Sequence, residues 1–124
     1  MVHLNVKKTF LVVEDEHVIS NICFRILTRE GFNVFLANDG NTAIELLDRQ
    51  KFDLCLLDVR TPGVDGIDIY KYICKISPEL SSRVIFMTGD SLSKNIPEFV
   101  NKIGCQLLEK PFTTDDLLLA VRNL

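Results

Sequence analysis

Thr9-Phe-Leu-Val-Val13-Glu14-Asp15-Glu16 runs straight into His17-Val-Ile-Ser-Asn-Ile-Cys-Phe-Arg-Ile-Leu-Thr-Arg-Glu30 and then Gly31. The continuous apolar run Thr9–Val13 has the length and character of a buried strand. From Glu16 to Glu30 apolar residues recur at Val18, Ile19, Ile22, Cys23, Ile26 and Leu27. That is helical spacing, and Gly31 ends the helix as a C-terminal stop should. Phe32–Ala37 then reads as a second strand. Strand, helix and strand in so short a stretch set the pattern for the rest of the chain.

Working outward, Asn38-Asp39-Gly40 is turn chemistry, and a short helix follows with Ala43, Ile44, Leu46 and Leu47 on one face. Asp53–Leu57 is a third strand with Asp58 directly after it. Thr61-Pro62-Gly63 and Asp65-Gly66 make Val59–Asp65 a loop. Ile67–Ile76 is a helix stopped before Ser77-Pro78, with Asp65-Gly66 at its start, and Arg83–Thr88 is the fourth strand. Ser91–Lys102 is helical in part, because Pro97 suits a first turn and not a helix interior. Cys105–Glu109 is the fifth strand. Thr113 with Asp116 resembles a capping box ahead of the stripe Leu117, Leu118, Val121 and Leu124. The alternation predicts an α/β fold: one parallel sheet of five strands, five helices covering both faces, and one domain over residues 1–124.

Composition agrees and excludes much else. The 124 residues are 47% apolar and 25% charged, ordinary for one globular domain. A net charge of −3 and an isoelectric point near 5.3 give no basic face for nucleic acid. No apolar run approaches the roughly 20 residues of a membrane helix. Glu14 and Asp15 cut short any signal-peptide core after Lys7 and Lys8, so the cytoplasm is the expected location. Cys23, Cys55, Cys74 and Cys105 are far apart, with only His3 and His17 beside them. They are expected to be reduced, packed thiols, not a zinc or redox motif. His17 is expected to face solvent, and Phe99, Val100 and Ile103 to join the core. Met1 and the ending at Leu124 are expected of a complete domain, and equally of a receiver cut from a longer protein.

In an open parallel sheet, ligands gather outside the carboxyl ends of the strands. Those ends carry Glu14 and Asp15, then Asp58, then Thr88-Gly89, then Glu109-Lys110-Pro111. Three carboxylates crowded together resist ionising without a counter-charge. A hard divalent cation resolves this, and few oxygen ligands with room for water suit Mg²⁺. A carboxylate can attack phosphorus, while a lysine and a hydroxyl can hold the phosphoryl oxygens. The residues thus point to a magnesium-dependent aspartyl-phosphate site.

These motifs closely resemble response-regulator receiver domains of two-component signalling. The resemblance rests on Phe10-Leu-Val-Val-Glu14-Asp15-Glu16, Leu57-Asp58-Val-Arg-Thr-Pro62-Gly-Val-Asp65-Gly66, Met87-Thr88-Gly89 and Glu109-Lys110-Pro111-Phe112. It covers the chain from Lys8 to Leu124. It implies a flavodoxin-like, doubly wound sheet in the order 2-1-3-4-5. It further implies Asp58 as phosphoacceptor and Mg²⁺ bound by Asp15, Glu14, Asp58 and the Arg60 backbone carbonyl. Thr88 and Lys110 would contact the phosphoryl group, and Pro111 would follow a cis peptide bond. Switching would alter the surface of the fourth helix, fifth strand and fifth helix, where Thr88, Leu107, Pro111 and Phe112 lie. The implied partners are a sensor histidine kinase or a histidine phosphotransfer protein, with an output domain or downstream protein. Direct nucleic-acid binding and membrane insertion are not implied, and the chain would be a monomer or weak homodimer. It would form and lose its own acylphosphate without being a metabolic enzyme.

The chain departs from the family pattern at three places. Glu14 stands where an aspartate is frequent, Arg60 faces the phosphoryl site, and Leu107 replaces the usual switch aromatic. Leu107 leaves a pseudo-receiver, a phosphorylation-independent binding module, as the alternative. A flavin-binding protein of the same topology would need a phosphate-cradling loop where Glu14-Asp15-Glu16 stands. A haloacid-dehalogenase-like phosphatase would need its DxD motif at that same place.

Overall fold

The structure, a computed structural model, describes residues 7–89 and 95–124. Its strands are β1 (Thr9–Val13), β2 (Asn33–Ala37), β3 (Leu54–Asp58), β4 (Val84–Thr88) and β5 (Gln106–Glu109). They pair in parallel in the order β2-β1-β3-β4-β5. The order turns back at β1, so a crevice opens beyond the carboxyl ends of β1 and β3. Register brings the site residues to that edge: Val13 lies opposite Leu57, Asp58 opposite Met87, and Thr88 opposite Glu109. β1 matches expectation, and the start of each later strand moves by one residue. Asp58 closes β3 instead of following it, because its backbone still sits in register with β4.

The described helices number six: α1 (His17–Arg29), α2 (Gly40–Arg49), α3 (Gly66–Ile76), α4 (Pro78–Ser81), α5 (Asn95–Lys102) and α6 (Thr114–Arg122). The sequence predicted five. The addition is the single turn α4, where Pro78 fits a first helical position needing no N–H. The N–H groups of Leu80 and Ser81 donate to the Ser77 carbonyl. The fourth and fifth helices of the sequence reading are therefore α5 and α6. Pro97 falls in the first turn of α5 as expected, while Ser91 to Lys94 lie outside the described residues. Asp39, Asp65 and Thr113 cap their helices, each accepting a backbone N–H three residues on. Asp116 completes the capping box at α6 by accepting from the Thr113 N–H.

Two cores flank the sheet. Leu11, Val13, Cys55, Leu57 and Phe86 pack under α2, α3 and α5. Phe10, Val12, Leu54, Leu56, Ile85 and Met87 pack under α1 and α6. This is the in-and-out alternation of a strand buried on both faces. Val100 is buried, and Phe99 and Ile103 pack on the first core. One expectation fails on α1: Val18 is 72% and Ile22 46% exposed. The buried line is Ser20, Cys23 and Leu27. At 3.6 residues per turn, Val18 lies roughly 170° round the helix from its centre. Cys23 and Cys55 are buried, and burial pushes the Cys23 thiol up to about 12. Cys74, in contrast to the packed thiol expected, is exposed, since the face α3 buries is that of Ile69, Tyr70 and Ile73.

Candidate functional site

The β1–α1 junction places two acids and directs them differently. Glu14 is fully buried, anchored by its N–H to the Ala37 carbonyl at 3.0 Å. Its Oε2 accepts the Glu16 N–H at 3.1 Å. Asp15 is exposed at the rim. From β3, Asp58 is 5% exposed, and its Oδ1 accepts the Arg60 N–H at 3.1 Å. Among the described residues, Glu14, Asp15 and Asp58 form an acidic cluster, one carboxylate oxygen from each lying within 4.8 Å of the others.

The opposing charge comes from β5. Lys110 follows Glu109, and its backbone N–H donates to the Thr88 carbonyl at 2.8 Å. Its ammonium donates to Asp58 Oδ2 at 2.8 Å and pairs with Glu14 Oε1. Glu16 Oε1 is a third carboxylate at 3.9 Å. The Lys110-Pro111 peptide bond is cis, as the resemblance implied. Thr88 is 3% exposed at the end of β4. Leu107 is half-buried on the first core, and Phe112 packs on the second.

One lysine among several carboxylates leaves a surplus of negative charge. Burial raises the Glu14 carboxyl to about 7; the neighbouring Lys110 ammonium opposes this and the Asp58 charge adds to it. Burial alone would lower the Lys110 ammonium, but Asp58 and Glu14 outweigh it and hold it above its ordinary value. Glu14 Oε1 is buried, with the Lys110 ammonium as its charge partner and no well-formed hydrogen bond. An all-oxygen donor set with unbalanced negative charge fits a hard divalent cation.

Two features of the site escaped the sequence reading. Gly66 opens α3 against the end of β3, its N–H donating to the Val59 carbonyl at 3.0 Å. A Cβ there would stand 2.3 Å from the Asp58 carbonyl oxygen and 2.9 Å from Val59 Cα, so only glycine fits. The sequence signals no more than a helix start at Asp65-Gly66. The second feature is Thr61, which is buried and donates its hydroxyl to the Val64 carbonyl at 2.7 Å, bracing the loop after Asp58.

The fold and this edge match known proteins. Residues 10–122 match the family model of the response regulator receiver domain. Sporulation initiation phosphotransferase F of Bacillus subtilis is 32% identical over 113 residues, 91% of this chain and 90% of that protein. A CheY-like receiver domain protein from Methanospirillum hungatei superposes with a TM-score of 0.86 at 25% identity, covering 95% of this chain and 93% of that one. The receiver domain of the sensor histidine kinase PA1611 from Pseudomonas aeruginosa, solved with magnesium in its active site cleft, gives 0.82 at 27% identity, covering 95% and 97%. The chain also spans 54% and 20% of two longer relatives, named as a transcriptional regulator and a transcription factor. The chain belongs to the response regulator receiver domain family, the signal-accepting module of two-component systems.

Proposed function

We propose that this receiver accepts a phosphoryl group on Asp58 from the phosphohistidine of a sensor histidine kinase or a histidine phosphotransfer protein. The observation carrying this is the Lys110 ammonium held 2.8 Å from Asp58 Oδ2 inside the acidic cluster. An Asp58 carboxylate oxygen attacks phosphorus, the P–N bond to the donor histidine breaks, and the imidazole leaves with that electron pair. Water attack on the acylphosphate later returns the carboxylate and inorganic phosphate. Lys110 and Thr88 hold the oxygens of the incoming group, and the buried walls hold the nucleophile in one position.

Glu14, Asp15, Asp58 and the Arg60 carbonyl would hold Mg²⁺, which neutralises charge on the carboxylates and phosphoryl oxygens. The chain promotes its own acylphosphate formation and loss and is not a turnover enzyme on an external substrate. No helix among the described residues is long and apolar enough to cross a membrane. The cytoplasmic location proposed here rests on the receiver family. The signal would leave through α5, β5 and α6, where Leu107, Pro111 and Phe112 lie. With Leu107 in β5, the aromatic contact joining β4 to α5 is Phe86 against Phe99, with centroids 6.5 Å apart.

The test is transfer from a radiolabelled phosphohistidine domain. Label should move to the wild-type chain with Mg²⁺ present, and neither to Asp58→Asn nor in the presence of a chelator. Transfer to Asp58→Asn would refute Asp58 as the acceptor.

A further inference from the structure

Glu16 is the third acid after β1. It stands at the N-cap of α1, a position where a side-chain oxygen ordinarily accepts a backbone N–H, yet its carboxylate makes no capping bond. The side chain is 64% exposed, with Oε1 3.9 Å from Lys110 Nζ. Its own N–H is held by Glu14 Oε2, which fixes the backbone beside the cluster. With Ile19, Ile22, Lys110, Pro111 and Phe112 it lines a groove of about 330 Å³. That groove starts at the lysine bonded to Asp58.

We propose that Glu16 is a specificity-determining residue for the phosphodonor, its carboxylate disfavouring small free dianionic donors at the groove mouth. The inference rests on Asp58 being the phosphoacceptor. A free acyl phosphate must approach Lys110 past the Glu16 carboxylate, which only a shared and distant ammonium offsets, and charge repulsion in a cleft lowers the encounter rate. Glu16 also competes with the incoming phosphoryl oxygens for the same ammonium. A macromolecular donor escapes both effects by setting a basic side chain against Glu16 as it covers the apolar part of the groove. Because Glu16 is exposed, its influence is screened over a Debye length of roughly 10 Å at 0.1 M salt. Salt therefore separates a charge effect from a positional one.

The test follows phosphorylation of the full chain over time by intact mass with saturating Mg²⁺. The donors are acetyl phosphate and the less negatively charged phosphoramidate. At low ionic strength Glu16→Gln should accept from acetyl phosphate about 3-fold faster than wild type, and Glu16→Lys faster still. The gain should be smaller with phosphoramidate and should shrink in about 0.5 M KCl. Equal rates for all three proteins would overturn the inference. So would a change that is the same for both donors and indifferent to salt, which would make Glu16 a mere positioner of Lys110. A wild-type chain that takes no label from either donor, while phosphohistidine transfer also fails, overturns the phosphoacceptor reading and this inference with it.

Discussion

Lys110 Nζ donates to Asp58 Oδ2 at 2.8 Å while also pairing with Glu14. The lysine directly follows β5, Glu14 directly follows β1, and Asp58 closes β3. Asp58, the proposed phosphoacceptor, is thus already held by a cation that incoming phosphoryl oxygens would have to share.

Removing that cation should cost both chemistry and stability. In Lys110→Ala, two buried carboxylates lose their shared partner, a loss of about 3–5 kcal/mol for a fully buried pair that falls to about 1–3 kcal/mol because Glu14 can take up a proton. Urea unfolding in chelator should show the loss, and phosphorylation should slow at least tenfold. Unchanged stability would mean that the pairing contributes nothing to the fold.

Glu14 gives metal-free stability a pH signature of definite sign. Its carboxyl sits at about 7 when folded against an ordinary 4.5, so between those values the native chain holds more protons than the unfolded one. Stability must then fall as pH rises through that window, by roughly 2–3 kcal/mol if Glu14 acts alone. Glu14→Gln should flatten this component in urea titrations run in chelator. A wild-type curve that rises from pH 4.5 to 7 relative to the variant would contradict the assignment.

A ligand of the folded cluster stabilises by mass action. Mg²⁺ at ten times its dissociation constant should add about 1.4 kcal/mol, or about 5 °C in melting temperature for a domain this size. The increment should vanish in Asp15→Asn and Asp58→Asn. Circular dichroism suits the measurement, since the chain has no tryptophan.

Two glycines should respond differently to alanine. Gly66→Ala drives a methyl into the Asp58 carbonyl, so it should destabilise by about 2–3 kcal/mol and slow phosphorylation. Gly31, at φ 98° after α1 and with open space around it, should lose about 1 kcal/mol on the same change and leave phosphorylation intact. Equal effects on phosphorylation would show that the close approach at Gly66 does not position Asp58.

Much of this was legible in the residues. The buried runs from Thr9 and Asp53 end in acids, and a parallel sheet has one carboxyl edge, so Glu14, Asp15, Asp58, Thr88 and Lys110 had to meet there. What escaped depends on orientation. Periodicity placed Val18 and Ile22 with the α1 stripe, but the rotation of α1 on the sheet leaves both exposed. Gly66 looked like a helix start because nothing local reveals how closely it approaches the Asp58 carbonyl. The turn at Pro78 was too short to carry a period. Glu16 read as one more acid, since only the fold sets it across from Lys110.

Whether Asp58 takes a phosphoryl group is decided by intact-mass measurement after incubation with acetyl phosphate. A gain of one labile phosphoryl group in wild type, dependent on Mg²⁺ and absent in Asp58→Asn, is the predicted result. No gain, together with no stabilisation by Mg²⁺ or beryllofluoride, would contradict the account and leave a phosphorylation-independent binding module in its place.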